Sequence, residues 1–361
     1  MITSLRFEFF STEDGKVHEI IFDASAEKSF IIEELAKAEN IIMGIATLNF
    51  DTMDGSYGYI NVNLERNSSD KSADYIIKPL EVKNPVYVYR EPVLREVPQI
   101  ISIDHYLRQQ EKLLLSSIQR PILAAFDGKE YKKGHKKSFY CAVRDWAEIS
   151  TTVQAIGDYC IIFVDDTVDF YTEEDIARYV EEFDNNIYPI MTDFFSPHFD
   201  IDDTWINEGM STYAQQITGY VDVDNRIYEY FSEKYSIPTS MVSLLFWDQN
   251  LHDYGISNLF TNYIAEQFGK EILQHIYANA VDPLISIEEF TGMSSSEIFM
   301  DVIIANKLYS LELDSKYSYK FGLQGDPAHI VLDRTSRIPF KSSSAVKYYL
   351  IEGDGSDIRV S

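Results

Sequence analysis

Basic residues are scarce in this chain: 31 Lys and Arg stand against 58 Asp and Glu, a formal net charge of −27. A surface of that sign repels phosphate backbones and anionic headgroups, so nucleic acid is excluded as an expected partner. Cysteine is nearly absent, with Cys141 and Cys160 alone, which excludes a disulfide-dense scaffold. No Cys-x-x-Cys occurs, so cysteine-based zinc and redox motifs are excluded too. Histidine is limited to seven positions (His18, His105, His135, His198, His252, His275 and His329), and the closest two are 23 apart. A His-Glu-x-x-His helix needs two imidazoles four apart on one face, and that requirement fails throughout. No stretch approaches the roughly 18 uncharged apolar residues of a membrane span. G-x-S-x-G, Walker A and G-x-G-x-x-G patterns are missing as well. The amino terminus, interrupted by Glu8, Glu13 and Asp14, lacks the uncharged core of a signal peptide. A cytoplasmic product is expected if this start is the true one.

What is present is a folded chain long enough for two or three domains: 361 residues, 45% hydrophobic and 14% aromatic. Its 25 Tyr and 22 Phe suit half-buried β surfaces. Residues 17–22, 57–64 and 86–89 read as strands, the last after the turn signal at Pro85, and residues 104–118 as a helix. A basic cluster at Lys129, Lys132, Lys133, Lys136 and Lys137 reads as a solvated loop. Cys141 and Cys160 sit in strand-like runs, 138–143 and 159–164. If those strands pair, the sulfurs can bridge in an oxidising compartment; otherwise they are two buried thiols. Beyond residue 173 the apolar spacing becomes helical, with Ile176, Tyr179, Val180, Phe183 and Ile187 on one stripe. Helices follow at 226–235, 256–268 and 270–280, and Ser294 to Glu297 forms a capping box for a last one. Strand-like runs return at 317–321, 346–351 and 357–361.

The stretch Asp203-Thr204-Trp205-Ile206-Asn207-Glu208-Gly209-Met210-Ser211-Thr212-Tyr213-Ala214 reads as a helix start, with Asp203 or Thr204 as cap. Ile206, Met210, Tyr213 and Ile217 form its apolar face, and Glu208, Ser211, Thr212 and Gln215 a polar one. Glu208 is placed in the first turn, where the helix dipole alone favours an acid. This segment resembles the Trp-x-Asn-Glu-Gly helix that supplies the third zinc ligand in several metallopeptidase families. Together with Phe183-Asp184-Asn185-Asn186-Ile187-Tyr188-Pro189 and Leu251-His252-Asp253-Tyr254-Gly255, it is similar to the hyicolysin-type metallopeptidases over roughly residues 135 to 325. Members carry a His-Glu-x-x-His helix between the first two stretches. Here Pro189 and Trp205 are separated by fifteen residues that hold no such helix.

The resemblance implies that Glu208 occupies a zinc-ligand position and that Tyr254 is a hydrogen-bond donor to a tetrahedral intermediate in intact relatives. A core or turn tyrosine is the plainer reading of Tyr254. His198, ten positions before Glu208, is the further candidate ligand, with Asp200 or Asp202, against the plainer reading of a loop histidine. Asp200-Ile201-Asp202-Asp203 and Asp222-Val223-Asp224-Asn225 look like the starts of calcium loops but lack Gly at position six and Glu at position twelve. The expected fold is α+β in three blocks: a β-rich accessory or propeptide-like domain over 1–126, a metallopeptidase-like region over 127–310 (a β unit, then helices), and a truncated β domain over 311–361. The expected function is that of a zinc-metallopeptidase-like protein, inactive because the zinc-binding helix is missing. The alternative is a non-catalytic surface or interaction module on the same framework. Zinc is the family's cofactor, with none expected here; the implied partner is a polypeptide, and the implied location extracellular or at the cell surface.

Overall fold

The computed structural model describes residues 4–11, 16–23, 30–32, 40–48, 50, 56–66, 75–77, 131–141, 147–195, 203–248, 250–279, 282–311, 315–352, 356 and 358–361. The strand expected at 86–89 and the helix expected at 104–118 lie outside them. Helices and strands occur together, and the protein is α+β. The chain divides into two units: Met1–Glu96 with Phe199–Gln216 and Val221–Ser361, and Val97–His198 with Ile217–Tyr220.

The strands in chain order are β1 (Ser4–Ser11), β2 (Lys16–Asp23), β3 (Phe30–Ile32), β4 (Asn40–Thr47), β5 (Tyr57–Arg66), β6 (Tyr75–Ile77), β7 (Lys136–Cys141), β8 (Ala147–Ile156), β9 (Ile161–Asp165), β10 (His329–Val331), β11 (Thr335–Lys341), β12 (Val346–Glu352) and β13 (Ile358–Val360). In the first unit they form two five-stranded sheets, ordered β10-β12-β4-β1-β2 and β11-β5-β13-β3-β6. Period-two alternation explains the pairing of faces. Ile60, Val62 and Leu64 of β5 point inward while Tyr59, Asn61 and Glu65 stay exposed. They share one core with Met43 and Ile45 of β4, Phe340 of β11, and Tyr349 and Ile351 of β12. The corner between β11 and β12 is stitched to the connection between β4 and β5. Ser342 N–H donates to Ser56 O at 3.0 Å, Thr47 N–H to Ala345 O at 2.9 Å, and Ala345 N–H to Thr47 Oγ1 at 3.0 Å.

The blocks expected from the sequence divide the chain differently. Residues 311–361 do not make a sheet of their own: β12 pairs antiparallel with β4 from Val346↔Ala46 to Glu352↔Asn40, and β11 with β5 from Thr335↔Asn63 to Lys341↔Tyr57. An edge such as β4 or β5 presents unpaired N–H and C=O groups, and the carboxy-terminal strands satisfy them. The strand-like run at 317–321 is instead a 3₁₀ turn, Ser315–Tyr317, followed by bends, its backbone held by Glu266, which accepts from Lys320 N–H at 2.6 Å and Phe321 N–H at 3.1 Å.

The helices are α1 (Glu173–Glu182), α2 (Tyr188–Phe194), α3 (Thr204–Ile217), α4 (Asn225–Phe231), α5 (Leu251–Phe268), α6 (Glu271–Ala278), α7 (Pro283–Thr291) and α8 (Ser295–Leu308). Side-chain caps set several starts. Ser294 and Glu297 form the expected capping box of α8, and Asn250 with Asp253 forms one on α5, which begins five residues before the expected 256. Helix α8 is tied to β12 by the Tyr348 hydroxyl, which donates to Ile303 O at 2.7 Å.

In the second unit β7, β8 and β9 form an antiparallel meander. Because β8 lies between them, β7 and β9 do not pair, and the direct strand contact on which a Cys141–Cys160 bridge was conditioned is not formed. Cys160 is a free thiol, pushed up by burial and by the neighbouring Asp184 carboxylate. The side chain of Cys141 lies outside the described residues. A π turn, Phe183–Ile187, joins α1 to α2 and aims Asp184 at the β8–β9 turn, where it accepts from Asp158 N–H at 2.6 Å and Tyr159 N–H at 3.0 Å. In the basic cluster, Lys136 and Lys137 lie on β7, and exposed pairs Lys133–Glu173 and Lys136–Asp166 occupy two of the lysines.

The interleaved sheets predict the behaviour of a nicked chain. A single cut between residues 120 and 135 should leave the two pieces together in native gel filtration, because β4–β12 and β5–β11 bridge them. They should separate only in denaturant; native release of a free carboxy-terminal fragment would contradict the pairing.

Candidate functional site at the α3, α4 and α5 junction

Helix α3 begins at Thr204, with Asn207 N–H donating to Asp203 O at 3.1 Å. Glu208 is therefore the fifth helical residue, in the second turn rather than the first. It is buried, 4% exposed, as are Trp205, Ile206, Met210, Thr212 and Tyr213. Of the expected polar face only Ser211 and Gln215 remain exposed. The reason is the neighbour. Gly209 lies so close to α5 that a Cβ there would meet Thr261 Oγ1 at 2.3 Å and Ser257 O at 2.7 Å. Only glycine permits this approach, and it drags Glu208 and Thr212 inside with it.

Polar side chains then organise the contact. Thr212 Oγ1 donates back to Glu208 O at 3.0 Å and Gly209 O at 2.8 Å, and accepts from Asn258 Nδ2 at 2.8 Å. Gln216 Oε1 accepts from Asn258 Nδ2 and Asn262 Nδ2, each at 2.9 Å. Trp205 packs edge-on against Phe260, ring centroids 5.6 Å apart.

Helix α4 approaches α5 at a second glycine, Gly255, whose Cβ would meet Arg226 O at 2.5 Å. Asp224 caps α4 by accepting from Arg226 N–H at 2.8 Å, and the same carboxylate takes Arg226 Nε at 2.9 Å and Nη2 at 2.6 Å. That use of Asp224 as cap and counter-ion accounts for the Asp222–Asn225 pattern without calcium. The Arg226 guanidinium lies 4.3 Å from the centroid of the Tyr254 ring, and Trp247 meets the same ring edge-on at 4.8 Å. Burial opposes the charge of Arg226, but hydrogen bonds and charge from Asp224, then Tyr254 and Glu208, hold its pKa above the ordinary value. Tyr254 is 1% exposed and serves as a floor for the guanidinium.

The first turn of α5 carries two further buried titratable groups. Burial pushes the His252 imidazole below its ordinary value, against the opposing charge of Glu229. Asp253 accepts from Asn250 N–H at 3.1 Å, and burial, aided by Asp248, pushes its carboxyl up to about 7.

The structure thus brings Glu208 and Tyr254 to one junction, where Arg226 lies over the Tyr254 ring and feels the Glu208 charge. His198, Asp200 and Asp202 lie outside the described residues. A protein zinc site needs at least three ligands, and among the described residues no group of three His, Cys, Asp or Glu side chains converges to hold a metal ion. Beside Glu208 stands a guanidinium, a permanent cation that repels a metal. The donor set described here does not fit zinc. Of the three stretches that carry the resemblance, Trp205–Ser211 lies on α3 and Leu251–Gly255 on α5, helices that touch at Gly209 and Trp205 against Ser257, Phe260 and Thr261, whereas Phe183–Pro189 belongs to the other unit. No protein-family model matches the chain, and no curated protein matches it. Arg226, Asn258, Asn262 and Gln216 were not visible as site residues, and Asp224 was visible only as part of a calcium-loop pattern. The available signals were two asparagines four apart in a helix of apolar residues, and glycines inside helices, where they are otherwise unfavourable by about 1 kcal/mol.

The raised pKa of Asp253 gives a signed expectation. A carboxyl that ionises near 3.8 when unfolded and about 7 when folded keeps its proton longer in the native state, so its contribution to stability is lost as pH rises between those values. Asp253→Asn should therefore be stabilising above pH 7, by at most about 4 kcal/mol, and progressively less so towards pH 4. Urea unfolding across that range checks it; a pH-independent difference would mean that Asp253 titrates normally.

Proposed function

We propose that this chain is a zinc-metallopeptidase-like protein that does not cleave peptides, its helical framework serving as a non-catalytic module that binds a polypeptide. One observation carries the reading: Glu208, the zinc-ligand position by resemblance, is buried beside the guanidinium of Arg226 rather than presented to an open site. The absence of two histidines four apart anywhere in the sequence supports it. Peptide hydrolysis of the zinc type needs a bound water, a general base and an open metal position, and Glu208, Tyr254 and Arg226 supply none of these. The excess of 58 acidic over 31 basic residues favours a basic polypeptide as partner. By the same resemblance the module acts outside the cell or at its surface.

Glu208→Gln separates this reading from a working metal site. Removing a buried charge that faces Arg226 should cost about 1–3 kcal/mol, more than a dipole interaction alone. Glu208→Gln combined with Arg226→Met should cost less than the sum of the two single changes. Thermal midpoints of wild type and Glu208→Gln should each be indifferent to a chelator. A chelator-sensitive midpoint in the wild type that disappears in Glu208→Gln would show a metal bound to the folded state and overturn the proposal.

A further inference from the structure

Outside the junction, α8 and β12 enclose a second charged centre. Lys307 of α8 is 3% exposed, and its ammonium touches three acceptors: Asp326 Oδ2 at 2.5 Å, Pro327 O at 2.9 Å and His329 Nδ1 at 3.4 Å. An ammonium has three protons to donate and nothing with which to accept. The three partners therefore account for all three N–H groups, and His329 must offer Nδ1 as a bare lone pair, its own proton on Nε2.

His329 opens β10, which runs parallel to β12 in the register His329↔Tyr348, Ile330↔Tyr349 and Val331↔Leu350. The charged and titratable groups around the imidazole come from three elements. Lys307 faces it from α8, Lys347 and Tyr348 from β12, and Asp326 from its own approach segment. Lys347 is paired with Glu233, and Asp326 is already committed to Lys307. A proton added at Nδ1 would turn the third acceptor into a donor and set two cations 3.4 Å apart, with a second buried ammonium nearby.

We propose that His329 is an acid-sensitive latch: protonation at Nδ1 breaks its bond to Lys307 and releases residues 326–331 from α8 and β12. Burial and the charges of Lys307 and Lys347 hold the folded imidazole below 6.5, outweighing the opposing Asp326. The unfolded or released segment takes its proton at about 6.5, the folded one only lower. The latch is therefore at full strength above about pH 6.5 and is lost as pH falls through the folded value. Release bares the β12 edge, a row of backbone donors and acceptors open to another strand.

Hydrogen exchange of the whole protein at pH 7.5 and 5.5, corrected for intrinsic rates, tests this. Protection of the amides in 326–332 should fall by up to about tenfold on acidification, the most that one group taking its proton at about 6.5 when released can contribute between those pH values. His329→Gln, whose amide oxygen accepts without titrating, should keep protection constant between the two pH values. His252→Gln, altering a buried histidine of the same unit that does not touch Lys307, should retain the wild-type loss. An equal loss in His329→Gln overturns the latch. Should that variant fail to fold, a nuclear magnetic resonance titration of His329 in the wild type decides. A proton on Nε2 and a midpoint below 6.5 support the latch, and an Nδ1–H tautomer or a midpoint at or above 6.5 overturns it.

Discussion

Helix α5 is buried on every side, from His252 to Ala265 without interruption. A helix in that position has no water for its polar side chains, and an unpaired buried polar group costs about 1–3 kcal/mol. Asp253, Asn258, Thr261 and Asn262 must therefore bond within the protein, and the bonds they make fix what lies around them. Asn258 and Asn262 both reach Gln216, and Asn258 also reaches Thr212. Rotating α3 by one residue would strand all of them. The two glycines work to the same end, because Gly209 and Gly255 are the points at which α3 and α4 touch the α5 surface. Glu208 is buried and Arg226 half-buried as a consequence of those contacts, and the Glu208 charge supports the guanidinium already paired with Asp224.

Much of the helical layer was readable locally. Capping boxes at Ser294–Glu297 and the apolar spacing of Ile206, Met210 and Tyr213 depend on residues within one or two turns, so the sequence displays them directly. The sheets were legible as strands and illegible as partners. Val346 to Ile351 reads as a strand, yet nothing local says that Val346 lies against Ala46, 300 positions away. Loop-closure entropy grows only slowly with separation, so distance along the chain does not forbid such pairing and cannot reveal it either. The expectation of a truncated domain at 311–361 came from counting strands by adjacency.

The site divides the same way. Glu208 and Tyr254 were visible because a motif names residues. Arg226 was not, because its relevance arises only when Gly255 lets α4 settle on α5. Even the polar face assigned to α3 was correct in period and different in environment: Thr212 and Glu208 are polar and buried, a combination that hydropathy scores as solvent-facing. Backbone strain is similarly invisible. Glu233, Ser236 and Ser344 adopt φ of 50°, 60° and 41°, and all three lie where the 233–245 segment is held to the β11–β12 corner. There Thr239 N–H donates to Glu233 at 2.9 Å and Leu245 N–H to Ser344 Oγ at 3.2 Å. Residues with a Cβ disfavour that region, and the surrounding bonds outweigh the cost.

Two lysines, one on a strand and one on a helix, carry charge into the interior. Lys347 of β12 and Lys307 of α8 are almost fully enclosed, and a buried ammonium without a counter-ion costs several kcal/mol. Each has its own carboxylate, Glu233 for Lys347 and Asp326 for Lys307. Neither pair is a strong source of net stability, since well-packed apolar residues of similar volume can do as well. What the pairs supply is discrimination. A one-residue slip of β12 against β4 would turn Lys347 to the opposite face of the sheet and leave both it and Glu233 uncompensated. It would also carry Tyr348 away from Ile303, where its hydroxyl is bonded. A hydrophobic strand such as Tyr348-Tyr349-Leu350-Ile351 has little of its own to distinguish one register from the next. The charge placed among those residues makes the wrong registers costly, and so lets segments from opposite ends of the chain settle on one pairing.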